Sequence, residues 1–324
     1  CAWLAVLIVG WLLLLLPQPA AAAFTIPIPA ATEHQGTAHC DPQILSVAAA
    51  RAPEHPDQRP TSGWESVTLP DHWTQRWIGY SGTVWYRIQW QHACATPVGV
   101  TLNALSQAGA LYLNEELIWS DQRFTEPLPR NWNLPHYWIL PASSLQIGEN
   151  TLWFRVTGAH YQQAGLGRVS LGEPGAQYAL HQDQIVLQRT WLQADIALSF
   201  TLSILSLLVW LSYRRATVFG WFGLLTGSWV IFAGTLLLTD PWPSPSTAAL
   251  ERFSLSALVV YCSCFALFSW SFADFIWPRA RRAVLVVATL LILLLWLAPL
   301  SHLGYAMLVV FLLSACLVLL NCLL

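Results

Sequence analysis

Lysine is absent from this chain of 324 residues, and all 15 of its basic side chains are arginine. Without lysine, these residues cannot form a GxxxxGK[ST] phosphate-binding loop or a lysine Schiff base. Charge of either sign is scarce, because charged residues make up 10% of the chain and the formal net charge is −2. Neutralising nucleic-acid phosphates requires a concentrated basic patch, and the sequence contains none. We therefore expect no nucleic-acid partner.

Hydrophobic residues make up 55% of the chain, and their distribution divides it into two halves. Residues 24–190 resemble a globular protein, whereas residues 191–324 consist of long apolar runs separated by short polar loops. Each run is close to the roughly 20 residues that a helix needs to cross a bilayer, and backbone amides in lipid require a helix. The sequence therefore predicts an all-α transmembrane bundle in contact with membrane lipid, with helices at about 192–213, 217–239, 254–277, 283–300 and 304–324.

The N-terminus has the pattern of a secretory signal peptide. Residues 2–16 form an apolar core, and Ala21 and Ala23 have the spacing of an A-x-A cleavage site. We predict a signal peptide over residues 1–23 and an N-terminal periplasmic segment over residues 24–61, with an uncleaved anchor as the alternative. Because a basic leader and an initiator methionine are missing, we expect the sequence to be part of a longer protein.

Arginine residues mark one side of the predicted bundle. Arg214 and Arg215 separate the first two helices, and Arg279, Arg281 and Arg282 separate the third from the fourth. Positive charge in short loops favours the cytoplasmic side. We therefore expect a protein of the bacterial inner membrane, with its globular half in the periplasm and its C-terminal end toward the cytoplasm.

Apolar residues in the globular half follow a period of two, which is typical of β-strands. In "TVWYRIQWQ", the residues Val84, Tyr86, Ile88 and Trp90 occupy alternate positions. The same alternation recurs in "VGVTLNAL", "GALYLNEELIW", "NTLWFRVTG" and "GRVSLG", with turn signals between them. Several strands at short spacing, without helical periods between them, predict an all-β sandwich or barrel.

Five motifs in this half follow one another in a recognisable order. They are "GWESVTLPDHW", "GYSGTVWYRIQW", "GALYLNEELIWS", "LPHYWILPASSLQIGENTLWFRV" and "GLGRVSLG". In this order they resemble the galactose-binding-like jelly roll over roughly residues 62–172, although Asn114 precedes glutamate where that family usually has glycine. The family includes sugar-binding domains of family 2 glycoside hydrolases and ectodomains of bacterial membrane receptors. The resemblance implies a jelly-roll sandwich that binds a small ligand, with carbohydrate as the expected class.

The order of the parts carries a second resemblance. A periplasmic domain, a linker over residues 173–190 and a helix bundle over residues 191–324 resemble the bacterial seven-transmembrane receptors with diverse intracellular signalling modules. Five helices of the expected seven are present in this sequence. The resemblance implies a cytoplasmic histidine kinase or diguanylate cyclase in the full-length protein, so this fragment is not expected to be an enzyme. A homodimer and the identity of the downstream partner stay open.

Loops at one end of a sandwich are the expected place for a ligand site. Three loops combine aromatic faces, which stack on sugar rings, with polar groups that bond sugar hydroxyls. The candidate ligand-binding residues in these loops are His72, Arg76, Trp77, Tyr80, Arg130, Asn131, Trp132, His136, His160, Tyr161 and Gln162. Each of them taken singly fits a surface or loop-anchoring role as well as a ligand contact.

Catalytic and metal-binding patterns are weak. Glycoside hydrolysis uses two carboxylates about 5 to 10 Å apart, whereas the adjacent Glu115 and Glu116 should diverge. No two histidines of the globular half have the HxH or HxxxH spacing of a metal site. We therefore predict no catalytic residue, no metal and no cofactor.

Two other functions remain open as alternatives. The first is a membrane-anchored carbohydrate-active enzyme or accessory carbohydrate-binding protein, which predicts a carboxylate pair in a cleft of the sandwich. The second is a transporter with an external domain, which predicts broken helices and charges at the bilayer midplane.

Cysteine positions predict one disulfide. Of the seven cysteines, Cys1 belongs to the signal peptide and four lie in the predicted membrane helices. Cys40 and Cys94 are therefore the pair expected in an oxidising compartment. A bond between them would tie the N-terminal segment to the strand "WYRIQWQ", and two unpaired thiols are the alternative.

Overall fold

The computed structural model describes residues 40–241, 243–275 and 277–323. The predicted signal peptide over residues 1–23 lies outside the described residues, as does the part of the N-terminal segment before Cys40. The described chain consists of a β-sheet domain followed by five long apolar helices.

The largest sheet of the β domain has six antiparallel strands in the order β2-β1-β4-β9-β6-β7. β4 and β9 form its centre and pair along their whole lengths, from Gly82 opposite Gly158 to His92 opposite Gly148. The strands of this sheet are β1 (Gln43–Arg51), β2 (Glu65–Ser66), β4 (Gly82–His92), β6 (Ala108–Leu113), β7 (Glu116–Ser120) and β9 (Gly148–Gly158).

Two smaller sheets complete the domain. Their strands are β3 (Asp71–His72) with β10 (Gly165–Leu166), and β5 (Val98–Leu102) between β8 (His136–Leu140) and β11 (Val169–Gly172). Side chains from all three sheets meet in one apolar core, which includes Ile88 of β4, Val100 of β5 and Leu166 of β10. Among the described residues the three sheets do not close into a single barrel.

Strand β4 is covered on both faces, whereas its alternation predicted one buried face. Tyr86 and Trp90 point into the main core. Trp85 on the opposite face is also buried, because its ring packs 5.5 Å from that of Tyr112 and its Nε1–H donates to the backbone oxygen of Pro56. The segment before β2 supplies this second cover.

The start of the β domain lies earlier than the predicted boundary at residue 62. Strand β1 pairs antiparallel with β4, so at least residues 43–51 belong to the sheet. Its sequence "QILSVAAAR" has little alternation, and its place in the sheet comes from pairing with distant strands. The chain just before it is fixed by a disulfide between Cys40 and Cys94, whose Cα atoms are 5.4 Å apart.

The predicted linker over residues 173–190 is helical. The Glu173 carboxylate accepts hydrogen bonds from the backbone amides of Gly175 and Ala176, and thereby caps α1 (Pro174–Ile185). A π-helical turn over Val186–Thr190 continues without a break into α2 (Trp191–Ser212). The β domain and the bundle are therefore joined by a continuous helical segment. We call its part before α2, which consists of α1 and the π-helical turn over Val186–Thr190, the helical rod.

In the part of the chain that the structure describes, five helices are long and apolar enough to cross a membrane by length and composition. They are α2, which follows the rod, then α3 (Thr217–Leu237), α4 (Thr247–Phe272), α5 (Pro278–Leu297) and α6 (Leu303–Leu323). Helix α4 begins at Thr247, earlier than the predicted residue 254. Its first turns contain the polar residues Thr247, Glu251 and Arg252, so the hydropathy pattern did not mark them as part of the helix.

Candidate functional site at the junction of the β domain and the bundle

The loop over residues 121–135, between β7 and β8, rests on one end of the helix bundle; we call it the docking loop. The Glu126 carboxylate accepts hydrogen bonds from the backbone amide of Thr247, at 2.8 Å, and from its hydroxyl, at 2.7 Å. The amide of Leu128 donates to the same hydroxyl at 3.0 Å, and the amide of Arg130 donates to the Thr239 oxygen at 2.8 Å. These hydrogen bonds fix the docking loop to the start of α4 and to the turn after α3.

Arg130 forms a buried ion pair with the bundle. Its Nη2 lies 3.0 Å from the Glu251 carboxylate of α4, and its Nη1 donates to the backbone oxygen of Thr235 at 2.5 Å. The Arg130 side chain is 2% exposed and that of Glu251 is 13% exposed. Gln162 donates a further hydrogen bond to Glu251 at 2.8 Å. Partners on several sides are needed here because an uncompensated buried charge is costly.

A second arginine connects the helical rod to the docking loop. Arg189, in the π-helical turn, donates to the backbone oxygens of Asn133 and of Leu237, each at 3.0 Å. The Asn133 side chain in turn donates to the Gln188 oxygen at 3.3 Å. The docking loop, the rod and the end of α3 therefore meet at one point.

Beside these contacts lies a cavity of about 530 Å³, which we call the junction cavity. Its roof belongs to the β domain and its lower wall to α3, α4 and α6. The roof residues include His72, Ser106, Arg130, Trp132, Tyr161, Gln162 and Gly165. The wall residues are Phe232, Leu236, Glu251, Ser254, Leu255, Leu258, Met307 and Phe311.

All three loops that the sequence offered as binding loops contribute to this roof. They bring five candidates to the junction cavity: His72, Arg130, Trp132, Tyr161 and Gln162. Burial raises the pKa of the Tyr161 hydroxyl, and the nearby carboxylates of Glu126 and Glu251 raise it further. The phenol therefore stays protonated and available as a hydrogen-bond donor.

Two more candidates, Asn131 and His136, line a separate open groove beside the docking loop. The Asn131 amide donates to the Gln107 oxygen at 2.7 Å and to the Asp121 carboxylate at 2.8 Å. Burial raises the pKa of Asp121 to about 6, although hydrogen bonds from the Gly109 amide and from Asn131 oppose the shift. Burial, with a smaller contribution from His181, lowers the pKa of His136 to about 4.

The remaining candidates hold loops of the β domain in place. Arg76 pairs with the Asp71 carboxylate, which raises the pKa of the guanidinium. Trp77 donates to Glu65 at 3.2 Å, and Tyr80 donates its hydroxyl to the Thr83 oxygen at 2.9 Å. These three side chains do not line the junction cavity.

His160 lies close to the cavity-lining residues Tyr161 and Gln162 but contacts the domain instead. Its amide and its Nδ1 both lie within 2.9 Å of the Ser81 hydroxyl. The contact holds the start of its loop against the turn before β4, and His160 is not part of the cavity lining.

The sequence-based search missed the half of the site that comes from the bundle. Glu251 precedes the helix predicted to begin at residue 254, whereas in the structure it lies on α4 and pairs with Arg130. A carboxylate one turn inside an apolar helix was the available signal, because such a charge requires a partner.

The carboxylates near the cavity are already bonded within the chain. Glu251 accepts from Arg130 and Gln162, while Glu126 accepts from Thr247. In the described part of the chain, no group of three or more histidine, cysteine, aspartate or glutamate residues could hold a metal ion. The arrangement favours hydrogen bonding of a neutral molecule, because the arginine and the glutamate compensate each other's charge.

No family model and no curated protein matches the chain. Three of the solved structures with a partly similar fold are glycosyl hydrolases or glucuronidases. A family 2 glycosyl hydrolase from Bacteroides cellulosilyticus is 15% identical, with a TM-score of 0.31 and coverage of 40% of this chain and 20% of that chain. The family 2 β-galacturonidase from Eisenbergiella tayi, bound to galacturonate, is 14% identical, with a TM-score of 0.32 and coverage of 42% and 26%.

The third structure is the β-glucuronidase from Faecalibacterium prausnitzii, which is 18% identical, with a TM-score of 0.26 and coverage of 40% of this chain and 22% of that chain. This chain thus spans about a quarter or less of the length of these enzymes. Similarity at this level assigns no function to it.

Proposed function

We propose that this chain is the sensor part of a bacterial inner-membrane signal-transduction receptor. Its β domain would be a galactose-binding-like jelly roll on the periplasmic side, as the order of its five motifs indicates. A small ligand, with carbohydrate as the class, binds in the junction cavity. The helices relay the binding event to a cytoplasmic histidine kinase or diguanylate cyclase.

The observation that carries this proposal is that the junction cavity is lined by both the β domain and the bundle. A ligand shifts an equilibrium only if its affinity differs between two arrangements of the protein. A molecule in this cavity contacts Trp132 and Gln162 on one side and Glu251 and Leu255 on the other. Any change in the fit between domain and bundle therefore changes its binding energy.

The chemistry of the roof supports a carbohydrate. Trp132 supplies an aromatic side chain to the cavity lining, and Gln162 and His72 supply polar side chains to it. The ion pair of Arg130 with Glu251 supplies both donors and acceptors without net charge. Aromatic faces with neutral or compensated polar groups are the combination that bonds hydroxyls and stacks on sugar rings.

The position of the arginines supports the orientation. The docking loop contacts the end of α3 and the start of α4, so the turn between α2 and α3 lies at the opposite end of the bundle. That turn contains Arg214 and Arg215, and the start of α5, at the same end, contains Arg279, Arg281 and Arg282. Arginine-rich loops favour the cytoplasm, which leaves the β domain on the periplasmic side.

A binding screen on the whole chain in amphipol tests the ligand class. We expect a monosaccharide or disaccharide from a neutral panel to raise the unfolding temperature of the wild type, and Trp132→Ala to abolish this rise. Trp191→Ala is the matched control, because Trp191 is an exposed tryptophan on α2 away from the cavity. If Trp132→Ala keeps the rise in unfolding temperature, or if Trp191→Ala loses it as well, the result would contradict binding in the junction cavity.

A distance measurement separates a receptor from a binding protein that is merely anchored in the membrane. Spin labels at Ile147, exposed on the β domain, and at Tyr213, after α2, report how domain and bundle sit relative to each other. We expect a saturating sugar that binds to shift the distance distribution. Tight binding without any shift would favour the accessory carbohydrate-binding protein.

A further inference from the structure

The junction cavity has two chemically different ends. Its roof holds the polar groups of Arg130, Gln162 and Tyr161. Its lower part is walled by Phe232 and Leu236 of α3 and, as a set, by the apolar residues Leu255, Leu258, Met307 and Phe311 of α4 and α6. A free sugar would satisfy the roof and would leave this apolar wall without a partner.

The apolar wall extends along the helices, away from the β domain. Leu258 follows Thr247, the first residue of α4, by eleven positions, which corresponds to about 16 Å along the helix axis. Phe311 follows Leu303, the first residue of α6, by eight positions, or about 12 Å. Both distances reach into the length of helix that is available to hydrocarbon.

The polar end carries no net charge for an ionic headgroup. Glu251 is paired with Arg130 at 3.0 Å. Arg130 is 2% exposed, and its Nε–H has no hydrogen-bond partner among the residues that the structure describes. The polar end therefore offers hydrogen bonds to hydroxyl groups and little attraction for a free phosphate or carboxylate.

The volume of the cavity argues against another helix as its occupant. A helix with its side chains is about 10 Å across, so a space of about 530 Å³ would hold little more than one turn of it. The same volume lies within the usual range of roughly 300 to 1,000 Å³ for small-molecule sites.

We propose that the ligand of the junction cavity is a neutral amphiphile, in which a hydroxylated sugar headgroup lies under the β domain and an alkyl or acyl chain lies against α3, α4 and α6. This inference rests on the proposed carbohydrate function and specifies the substrate class further. The chain portion reaches the site from the lipid phase, and the headgroup contacts the roof residues Trp132 and Gln162.

Photolabelling of the whole chain in amphipol tests the inference. The probes are octyl β-glucoside and octyl β-galactoside, each with a diazirine near the end of the alkyl chain. We expect the labels to map to α4 around Leu255–Leu258 and to α6 around Met307–Phe311. Leu258→Trp, which fills the lower cavity, should reduce this labelling at least tenfold. Leu290→Trp is the matched control, because Leu290 lies exposed on α5 away from the cavity, and its labelling should equal that of the wild type.

Competition experiments distinguish failure of the inference from failure of the proposed function. We expect methyl glycosides to displace the label only at concentrations at least a hundredfold above those of the unlabelled octyl glycosides. Equal potency of methyl and octyl glycosides would overturn the inference and leave carbohydrate binding intact. Equal displacement by 1-octanol would overturn the sugar headgroup, and with it both proposals. Uniform labelling of all lipid-facing helices, unchanged in Leu258→Trp, would show bulk lipid only and would overturn the inference.

Discussion

The β domain and helix α2 of the bundle bury opposite kinds of residue. The domain encloses its largest side chains, and Trp73, Trp90 and Tyr86 have no exposed surface. In the bundle, the buried residues of α2 are three serines, whereas large apolar residues of the same helix, such as Leu198 at 61% and Phe200 at 55%, face outward.

This difference reflects the solvent that each part meets. In water, burial of large apolar side chains is the main driving force, so the domain places its tryptophans inside. In lipid that force is absent between helices, and close approach of small residues replaces it. The Ser203 hydroxyl donates to the Gly223 oxygen of α3 at 2.8 Å, which is an example of such packing. The junction cavity lies where the two regimes meet.

The largest difference between the β domain and the bundle should appear when the same substitution, phenylalanine to alanine, is made in both. Phe154→Ala removes a ring that is 1% exposed in the domain core, and we expect it to lower the free energy of unfolding by about 3–5 kcal/mol. Phe200→Ala removes a ring that faces outward from α2 and should cost little. Thermal unfolding of the chain in amphipol, followed by near-UV circular dichroism, measures both. Equal losses would mean that the bundle does not present Phe200 to lipid.

The ion pair between the two parts should also matter strongly. Arg130→Gln leaves the buried Glu251 carboxylate without its charged partner, and we expect a loss of about 3–5 kcal/mol at the junction. Arg123→Gln breaks the exposed pair with Asp240, where we expect less than about 1 kcal/mol. Protease cleavage within the docking loop reports the release, with Arg130→Gln cut fastest. Similar cleavage rates for the two variants would argue against the buried ion pair as the main contact that holds the docking loop on the bundle.

Acid should destabilise the β domain through His136. Its pKa is about 4 in the folded domain and about 6.5 when the ring is free, so the unfolded chain binds more protons between these values. Stability due to this group is complete above pH 6.5 and falls as the pH drops toward 4, by up to about 3 kcal/mol. His136→Phe should flatten this acid limb in denaturant melts at a series of pH values. An unchanged limb would contradict the shifted pKa.

Helix packing in the bundle should be sensitive to added volume. A Cβ atom at Gly223 would lie 2.7 Å from Leu207 of α2, so Gly223→Leu should separate the helices and cost about 1–3 kcal/mol. Among the described residues, Gly234 on the same helix has no neighbour within 4 Å of a Cβ position, so Gly234→Leu is the matched control. Unfolding of the bundle in mixed micelles of increasing denaturing detergent compares them. A lower stability of Gly234→Leu would reverse the expected order.

The smallest expected effect is at Asp121, which is partly exposed and therefore screened by solvent. Its folded pKa of about 6 exceeds the ordinary 3.8, so the folded domain binds more protons between these values. The stability due to this carboxyl is therefore lost as the pH rises from about 4 to 6, opposite to the sign expected for His136. Asp121→Asn keeps an acceptor for the Gly109 amide and should remove this loss in the same pH series. A steeper loss in the variant would contradict it.

Much of the architecture follows from local patterns. Alternation in "TVWYRIQWQ" predicted strand β4, and apolar length predicted the five long helices. The boundaries of the strands and helices were harder to predict from the sequence. Strand β1, for example, has little alternation and joins the sheet by pairing with β4. Similarly, Thr247 and Glu251 in the first turns of α4 bond to the β domain, and hydropathy alone assigned these turns to a loop.

For the candidate site, the sequence indicated which residue types the loops carry, but it did not indicate where in the fold the site lies. The candidates Trp132, Tyr161 and Gln162 line the junction cavity, whereas Arg76, Trp77 and Tyr80, chosen for the same kind of side chain, hold their loop in place. Residue type does not distinguish an anchoring contact from a cavity-lining position.

Hydropathy and the period-two alternation therefore determined the division of this protein into a β domain and apolar helices. Both patterns are local, because each side chain has its own preference for water or for an apolar environment. Only the tertiary structure decided where the two halves join and what lies between them. Arg130 and Glu251 are 121 residues apart in the sequence, and burying either charge costs free energy unless the other lies beside it. The junction cavity exists for the same reason, since its roof and its wall come from parts of the chain that meet only after folding.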